Sequence, residues 1–408
     1  MRSGTLRRRM QRLALGLRLG NLHIRSRRMK VKLRMLGRRR EALMQDIARL
    51  QTAVTEPTAD TGVAVSHAPD APIWIHAPWR AGSTYVWSKF RAQDRYLAFY
   101  EPFHEVLEGL TRDDIARSTS ASWPSGHPLL QAPYYQEYSG LLNPGGGVRG
   151  FQFTFPYAHY LANEAPLREQ QAYLRALVEY AQAQGRRPVF GFCRSLGRVP
   201  WFKRYMPGVH IALTRDGLGL WRSAIDRQAR YGDTYFLTRP FMILFAGRHD
   251  AWITAYLADL GLANLAYHSD MGRATRAAER LVAADPDLTA RAFAAVFALA
   301  ITIAQRHCDL TIPVETLSTL AGRRALNATL IGRFNIAIDW QDCRIPVYAA
   351  RPEDSAFLGY WERALIHAEV CHEAWLQEAG ARDPRTPAAA PVPVSRGQVA
   401  RRILTEPG

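Results

Sequence analysis

Ile73-Trp74-Ile75-His76-Ala77-Pro78-Trp79-Arg80-Ala81-Gly82-Ser83-Thr84-Tyr85-Val86-Trp87 is the stretch that decides the fold. It opens with a short apolar run, turns through Arg, Gly, Ser and Thr, and continues as an amphipathic segment from Val86 to Gln93. That order reads as strand, loop, helix. Such a loop gathers backbone N–H groups and a helix N-terminus around one point, which favours an anion. Arg80 adds a fixed positive charge, and Ser83 and Thr84 add hydroxyl donors. The loop is shorter than GxxxxGK[ST] and has no Lys before its Ser-Thr pair, which argues against magnesium-ATP.

Outward from this stretch, Arg95 to Tyr100 reads as a second strand, ending in Glu101-Pro102-Phe103-His104-Glu105. The gap from Pro78 to Tyr96 suits a helical crossover between parallel neighbours. If the two strands are adjacent, Glu101 lies at a carboxyl end next to the loop, the edge where open α/β sheets hold ligands. The Glu-Pro pair predicts an extended backbone at Glu101. Residues 111–160 are irregular and aromatic, with Trp123, Tyr134, Tyr135 and Tyr138, and read as a binding loop or lid, or simply as packing. Asn163 to Gln184 reads as a helix, Pro188 to Cys193 as a buried strand followed by Arg194, Val199 to Tyr205 as a short helix, and Val209 to Thr214 as another strand. That strand ends in Arg215-Asp216, with Asp216 as N-cap of the next helix. Ser223, seven residues after the cap, is about two turns on and faces the same side, so Arg215 and Ser223 can converge on one anion.

These two stretches carry a family likeness. Arg80-Ala81-Gly82-Ser83-Thr84-Tyr85 resembles the 5'-phosphosulfate loop of sulfotransferases that use PAPS, 3'-phosphoadenosine 5'-phosphosulfate. Arg215 and Ser223 resemble the family's 3'-phosphate site, an Arg at a strand end and a Ser eight residues on. The likeness covers roughly residues 71 to 230, in the family's order. It implies an α/β fold like that of P-loop nucleoside triphosphate hydrolases, with a central parallel sheet flanked by helices. It also implies PAPS as co-substrate and no metal. Arg80 would then hold the phosphosulfate, Gly82 would allow close backbone approach, and Ser83 and Thr84 would donate to phosphate or merely cap the helix. Tyr85 would pack on adenine or in the core. By position the resemblance makes Glu101 the general base, with His104 and Glu105 as rivals; otherwise Glu101 is a structural ion pair with Arg80 or another Arg. Arg194 reads as a contact to donor or anionic acceptor, or as a salt bridge. Trp123 and Tyr134 read as rings for an acceptor such as a glycan or a small molecule.

The formal charge of +17 is uneven: residues 1–50 hold 16 Lys and Arg against Glu41 and Asp46, leaving +3 for the rest. The chain divides into a basic helical arm with a heptad-like stripe (1–52), a linker (53–70), the sulfotransferase-like domain (71–380) and a Pro- and Ala-rich tail (381–408). The arm suits a phospholipid surface or a polyanion, or is a basic extension or dimerisation helix; a specific nucleic-acid partner is not expected. Cys193, Cys308, Cys343 and Cys371 form no CxxC pair, so neither disulfides nor a zinc site are expected. No run of 18 apolar residues or secretory leader is evident, so a cytoplasmic protein, peripheral to the membrane at most, is expected. Later helices are expected at 241–260, 273–284, 288–307 and 357–379, with a strand at Ile331 to Ile338. Two other classes remain: a P-loop small-molecule kinase, which predicts Mg-ATP binding, and a non-enzymatic protein binding membrane or nucleic acid through the arm.

Overall fold

The residues of β1 (Ile73–His76) expose no surface. A strand buried on both faces belongs in the middle of a covered parallel sheet, and β1 lies there. The computed structural model describes residues 68–381 apart from 122–129, 159, 162–166, 247–250, 266, 267, 269 and 347. The basic arm, nearly all of the linker, Trp123 and the tail after Ala381 lie outside these residues.

The other strands are β2 (Tyr96–Tyr100), β3 (Arg187–Phe192), β4 (Val209–Thr214) and β5 (Leu310–Pro313). All five pair in parallel in the order β2-β3-β1-β4-β5. Ile73 is in register with Val189 on one side and Val209 on the other. The expected adjacency of the first two strands is therefore wrong, because β3 lies between them. A crossover of this length reports that two strands are parallel; it reaches across two strand spacings of about 4.8 Å as readily as one.

Helices cover both faces. On one, α1 (Ser83–Arg91) sets Trp87 against the sheet, its indole N–H donating to the Ala98 carbonyl at 2.9 Å. Gly191 in β3 permits this approach: a Cβ there would stand 3.1 Å from the Trp87 Cβ. After α2 (Arg112–Arg117) and α3 (Arg168–Gln182) come β3 and α4 (Val199–Tyr205) on the opposite face. There Phe202 meets the rings of Trp74 and His76 at 5.6 and 4.9 Å. The helix expected from Asn163 begins at Arg168 in the described chain, and Asn163 and Pro166 lie outside it.

The remainder is mostly helical, as the periodicity predicts: α5 (Gly217–Tyr231), α6 (Tyr235–Ala246), α7 (Ala251–Asp259), α8 (Met271–Ala284), α9 (Pro286–His307), α10 (Leu320–Phe334) and α11 (Ser355–Ala381). The helix expected over 241–260 is seen as α6 and α7, and residues 247–250 between them lie outside the described residues. One reading needs correction. The strand expected at Ile331 to Ile338 is instead the end of α10, which closes on Asn335 at φ 54°. Its three isoleucines gave a β-like pattern, whereas the true edge strand, β5, has four residues and too little pattern to notice. α9 is long and apolar enough to cross a membrane, yet 83% of its apolar window is buried inside the fold. It is a core helix, with Phe293 and Phe297 against Trp221 and Trp79 at 5.3 and 5.9 Å.

Candidate functional site

The chain leaves β1 toward β2 on one side of the sheet and leaves β4 toward β5 on the other. Neighbouring strands whose connections part in this way open a crevice at their carboxyl ends, where α/β sheets bind ligands. Arg80 follows β1 and Arg215 follows β4, so the topology brings two arginines to one crevice.

The loop between β1 and α1 is anchored by Trp79 and Ala81, both buried. Arg80 between them has φ 70° and Gly82 has φ 76°. Left-handed backbone at a non-glycine costs about 1–3 kcal/mol and persists only where the surroundings enforce it. Gly82 caps α1 without a side-chain hydrogen bond, so the first-turn N–H groups face the crevice uncapped by any side chain. The Arg80 Nε donates to Ser223 Oγ at 2.8 Å, and Arg215 Nη1 donates to the Arg80 carbonyl at 2.8 Å. Arg215 Nη2 donates to the Pro346 carbonyl at 2.8 Å, while its Nε is buried without a partner. Phe236 lies 4.9 Å from the Arg80 guanidinium and Tyr348 lies 5.6 Å from that of Arg215. Burial, and then Arg227, lower the pKa of Arg80, yet an arginine starts so high that the charge stays. Among the described residues no carboxylate pairs with Arg80 or Arg215.

The remaining loop hydroxyls already have partners. Ser83 Oγ lies 2.9 Å from Cys193 Sγ, and Thr84 Oγ1 lies 3.2 Å from the Tyr100 hydroxyl. Both residues are buried. The Tyr85 hydroxyl donates to Asp342 at 2.7 Å, and its ring packs 6.2 Å from Trp340.

A second cluster stands at the ends of β2 and β3. Arg194, buried, donates to Glu101 Oε2 at 2.9 Å and to Glu105 Oε2 at 2.7 Å, and it also contacts the Tyr235 hydroxyl. The Cys193 N–H donates to the same Glu101 oxygen at 3.1 Å. Glu101 is not extended as its Pro predicts; its φ is 45°. Its N–H continues the sheet ladder to Gly191 and its carbonyl closes a turn onto His104, while Arg194 and Cys193 hold the carboxylate. Tertiary bonds override the local preference here. Burial raises the pKa of Glu101, and Arg194 opposes it. Glu105 is driven the other way: although burial raises it, Arg194, His104, Arg239 and Tyr157 hold its carboxyl far below the usual range. His104 Nδ1 accepts from the Val106 N–H at 3.2 Å. Burial and Arg194 lower its pKa to about 3, so its 3.4 Å approach to Glu105 is no ion pair near neutral pH.

Trp79 joins the two clusters, with the Arg194 guanidinium 5.3 Å from its ring. Beyond Glu105 opens a cavity of about 250 Å³, lined by His104, Glu105, Phe153, Tyr157, Tyr235, Arg239, Met242, Met271 and Thr275. Glu101 sits behind Glu105 and is not part of that lining. Tyr134 is buried against Tyr100 and Trp87, at 5.0 and 6.1 Å, so its ring belongs to the core rather than to an open face.

Phe236, Tyr348, Tyr157, Tyr235 and Arg239 were not singled out from the sequence. Tyr235 and Arg239 carried a usable signal, since residues four apart share a helix face. Tyr348 carried none, because the irregular segment before α11 has no period. Compared with family models, curated proteins and solved structures, the chain matches none.

Proposed function

We propose that this chain is a PAPS-dependent sulfotransferase with a P-loop-like sheet. One observation carries the reading. Arg80 from the loop after β1 meets Arg215 and Ser223, which follow the adjacent strand β4, through bonds of 2.8 Å. A nucleotide with phosphates at both its 3' and 5' positions needs cationic groups from two separate elements in one crevice. The N-terminus of α1, which no side chain caps, and Arg80 and Arg215, which have no carboxylate partner among the described residues, suit such an anion. The strand order supports the fold reading, with the loop leaving a central strand at the switch point.

Bound there, PAPS supplies the sulfuryl group: an S–O bond forms to the acceptor oxygen as the bond from sulfur to the 5'-phosphate oxygen breaks, leaving 3'-phosphoadenosine 5'-phosphate. Arg80 balances the charge that gathers on the leaving oxygen. Glu101 is the proposed base that takes the acceptor's proton. Burial keeps its proton affinity high for a carboxylate, whereas Glu105 is held ionised and His104 keeps Nδ1 on a backbone N–H.

Calorimetry with 3'-phosphoadenosine 5'-phosphate tests the nucleotide site. Arg215→Ala and Ser223→Ala should weaken binding, the arginine change by about tenfold or more. Equal affinity in all three proteins would refute the assignment. Glu101→Gln should retain nucleotide binding and lose turnover; retained turnover would move the base to Glu105 or His104.

A further inference from the structure

On the sulfotransferase reading proposed above, the geometry points to the cavity beside Glu105 as the acceptor site, and to an uncharged single-ring hydroxyl compound, a phenol or alicyclic alcohol, as its occupant. Three observations carry this.

Its position is the first. Glu105 and His104 line the cavity, and Arg194 ties Glu105 to Glu101. Arg194 in turn lies on Trp79 of the Arg80 loop. The hollow thus opens on the side of the sheet edge where both proposed transfer groups stand. Another hollow, at Leu260, Arg291 and Tyr360, holds about 10 Å³ and has room for no more than a water.

Charge is the second. Around the polar wall, Glu101 and Glu105 face Arg194 and Arg239, and His104 is neutral. Arg239 is engaged: its guanidinium stacks 3.9 Å from the Tyr235 ring and 5.7 Å from Tyr157, with Nη1 3.6 Å from Glu105. A polyanionic sugar needs surplus cations and an amine needs a surplus carboxylate; this wall offers neither.

Shape and lining are the third. About 250 Å³ falls just below the usual range for drug-sized ligands, roughly 300–1,000 Å³, so one ring fits and an oligosaccharide does not. The wall opposite the polar groups is Phe153, Met242 and Met271. Phe153 is 39% exposed and offers an open ring face, and methionines adapt to an apolar body. The hydroxyl of a bound ring would turn to the polar wall at Glu105, behind which the proposed base Glu101 stands, tied to Glu105 by Arg194.

The experiment uses the full chain and calorimetry with 4-methylphenol, methyl β-glucoside and a sulfated heparin disaccharide, each with and without 3'-phosphoadenosine 5'-phosphate. We expect 4-methylphenol to bind saturably and at least tenfold more tightly than either sugar. Phe153→Ala should weaken it about two- to tenfold. Met271→Trp should fill the cavity and abolish it, with nucleotide binding as the measure of intact folding. Tighter binding of either sugar, or 4-methylphenol binding untouched by both substitutions, overturns the assignment. Nucleotide that fails to bind while 4-methylphenol behaves as expected overturns the sulfotransferase reading and with it the acceptor role; intact nucleotide binding without phenol binding overturns only the acceptor class.

Discussion

Arg194 and Arg80 follow adjacent strands, β3 and β1, yet the protein treats their charges in opposite ways. Arg194 is buried between two carboxylates, which more than offset the burial that works against its charge and raise its pKa. Arg80 has Ser223, a ring face and a neighbouring Arg215, and its pKa is lowered. In the first cluster the charge is matched without a ligand, although Arg194 Nε, like Arg215 Nε, is buried without a hydrogen-bond partner. The second carries surplus positive charge, the condition in which an added anion is worth most. One arginine is held between carboxylates; the other, on the reading proposed above, meets an anion.

Removing each arginine breaks this comparison most directly. Arg194→Met leaves Glu101 and Glu105 buried without their cation, and we expect a loss of about 3–5 kcal/mol in urea unfolding. Arg80→Ala, by contrast, should leave stability within about 1 kcal/mol while weakening nucleotide binding by about tenfold or more. Equal destabilisation by the two changes would show that both clusters are structural.

Acid sharpens the contrast. His104 has its pKa lowered to about 3, while an unfolded histidine takes up its proton near pH 6.5. Between those values the unfolded chain binds more protons, so stability is full above about pH 6.5 and falls as pH falls, by at most ~1.4 kcal/mol per unit from this residue. Buried His76 shifts in the same direction. Glu105, depressed below its unfolded value, adds its own loss only at lower pH, as the carboxylate range is crossed. His104→Asn should therefore flatten the stability profile from pH 6.5 to 4.5; an unchanged slope would assign the acid sensitivity elsewhere.

The smallest effect concerns backbone. Arg80 adopts φ 70°, so Arg80→Gly should be about 1 kcal/mol more stable than Arg80→Ala, with nucleotide binding weakened in both. Identical stabilities would mean that the turn is not strained.

Much of this layout was legible. The strand-loop-helix at Ile73, the strands near Tyr96, Pro188 and Val209, and the cap at Asp216 come from local pattern and capping chemistry, and each is present. Helical spacing predicts that Arg215 and Ser223 share one side; in the structure each bonds to Arg80. What escaped depends on contacts distant in sequence. Strand adjacency is a property of the whole sheet, so β3 entering beside β1 left no local trace. Glu101 departs from its pre-proline preference because Arg194, 93 residues later, holds its carboxylate. The cavity assembles residues from His104 to Thr275 on four separate segments. Tyr134 looked available because aromatic content alone does not tell a packed ring from an open one.

α9 has a consequence for shortened chains. It is membrane-length, and its covers include α6 on one side and α11, which follows it in sequence. A ribosome therefore delivers this apolar helix with one side still uncovered before synthesising α11. A fragment terminated between His307 and Ser355 keeps that side open to water and should be prone to aggregate, so deletion studies of the carboxyl end belong beyond the part of α11 that packs on α9.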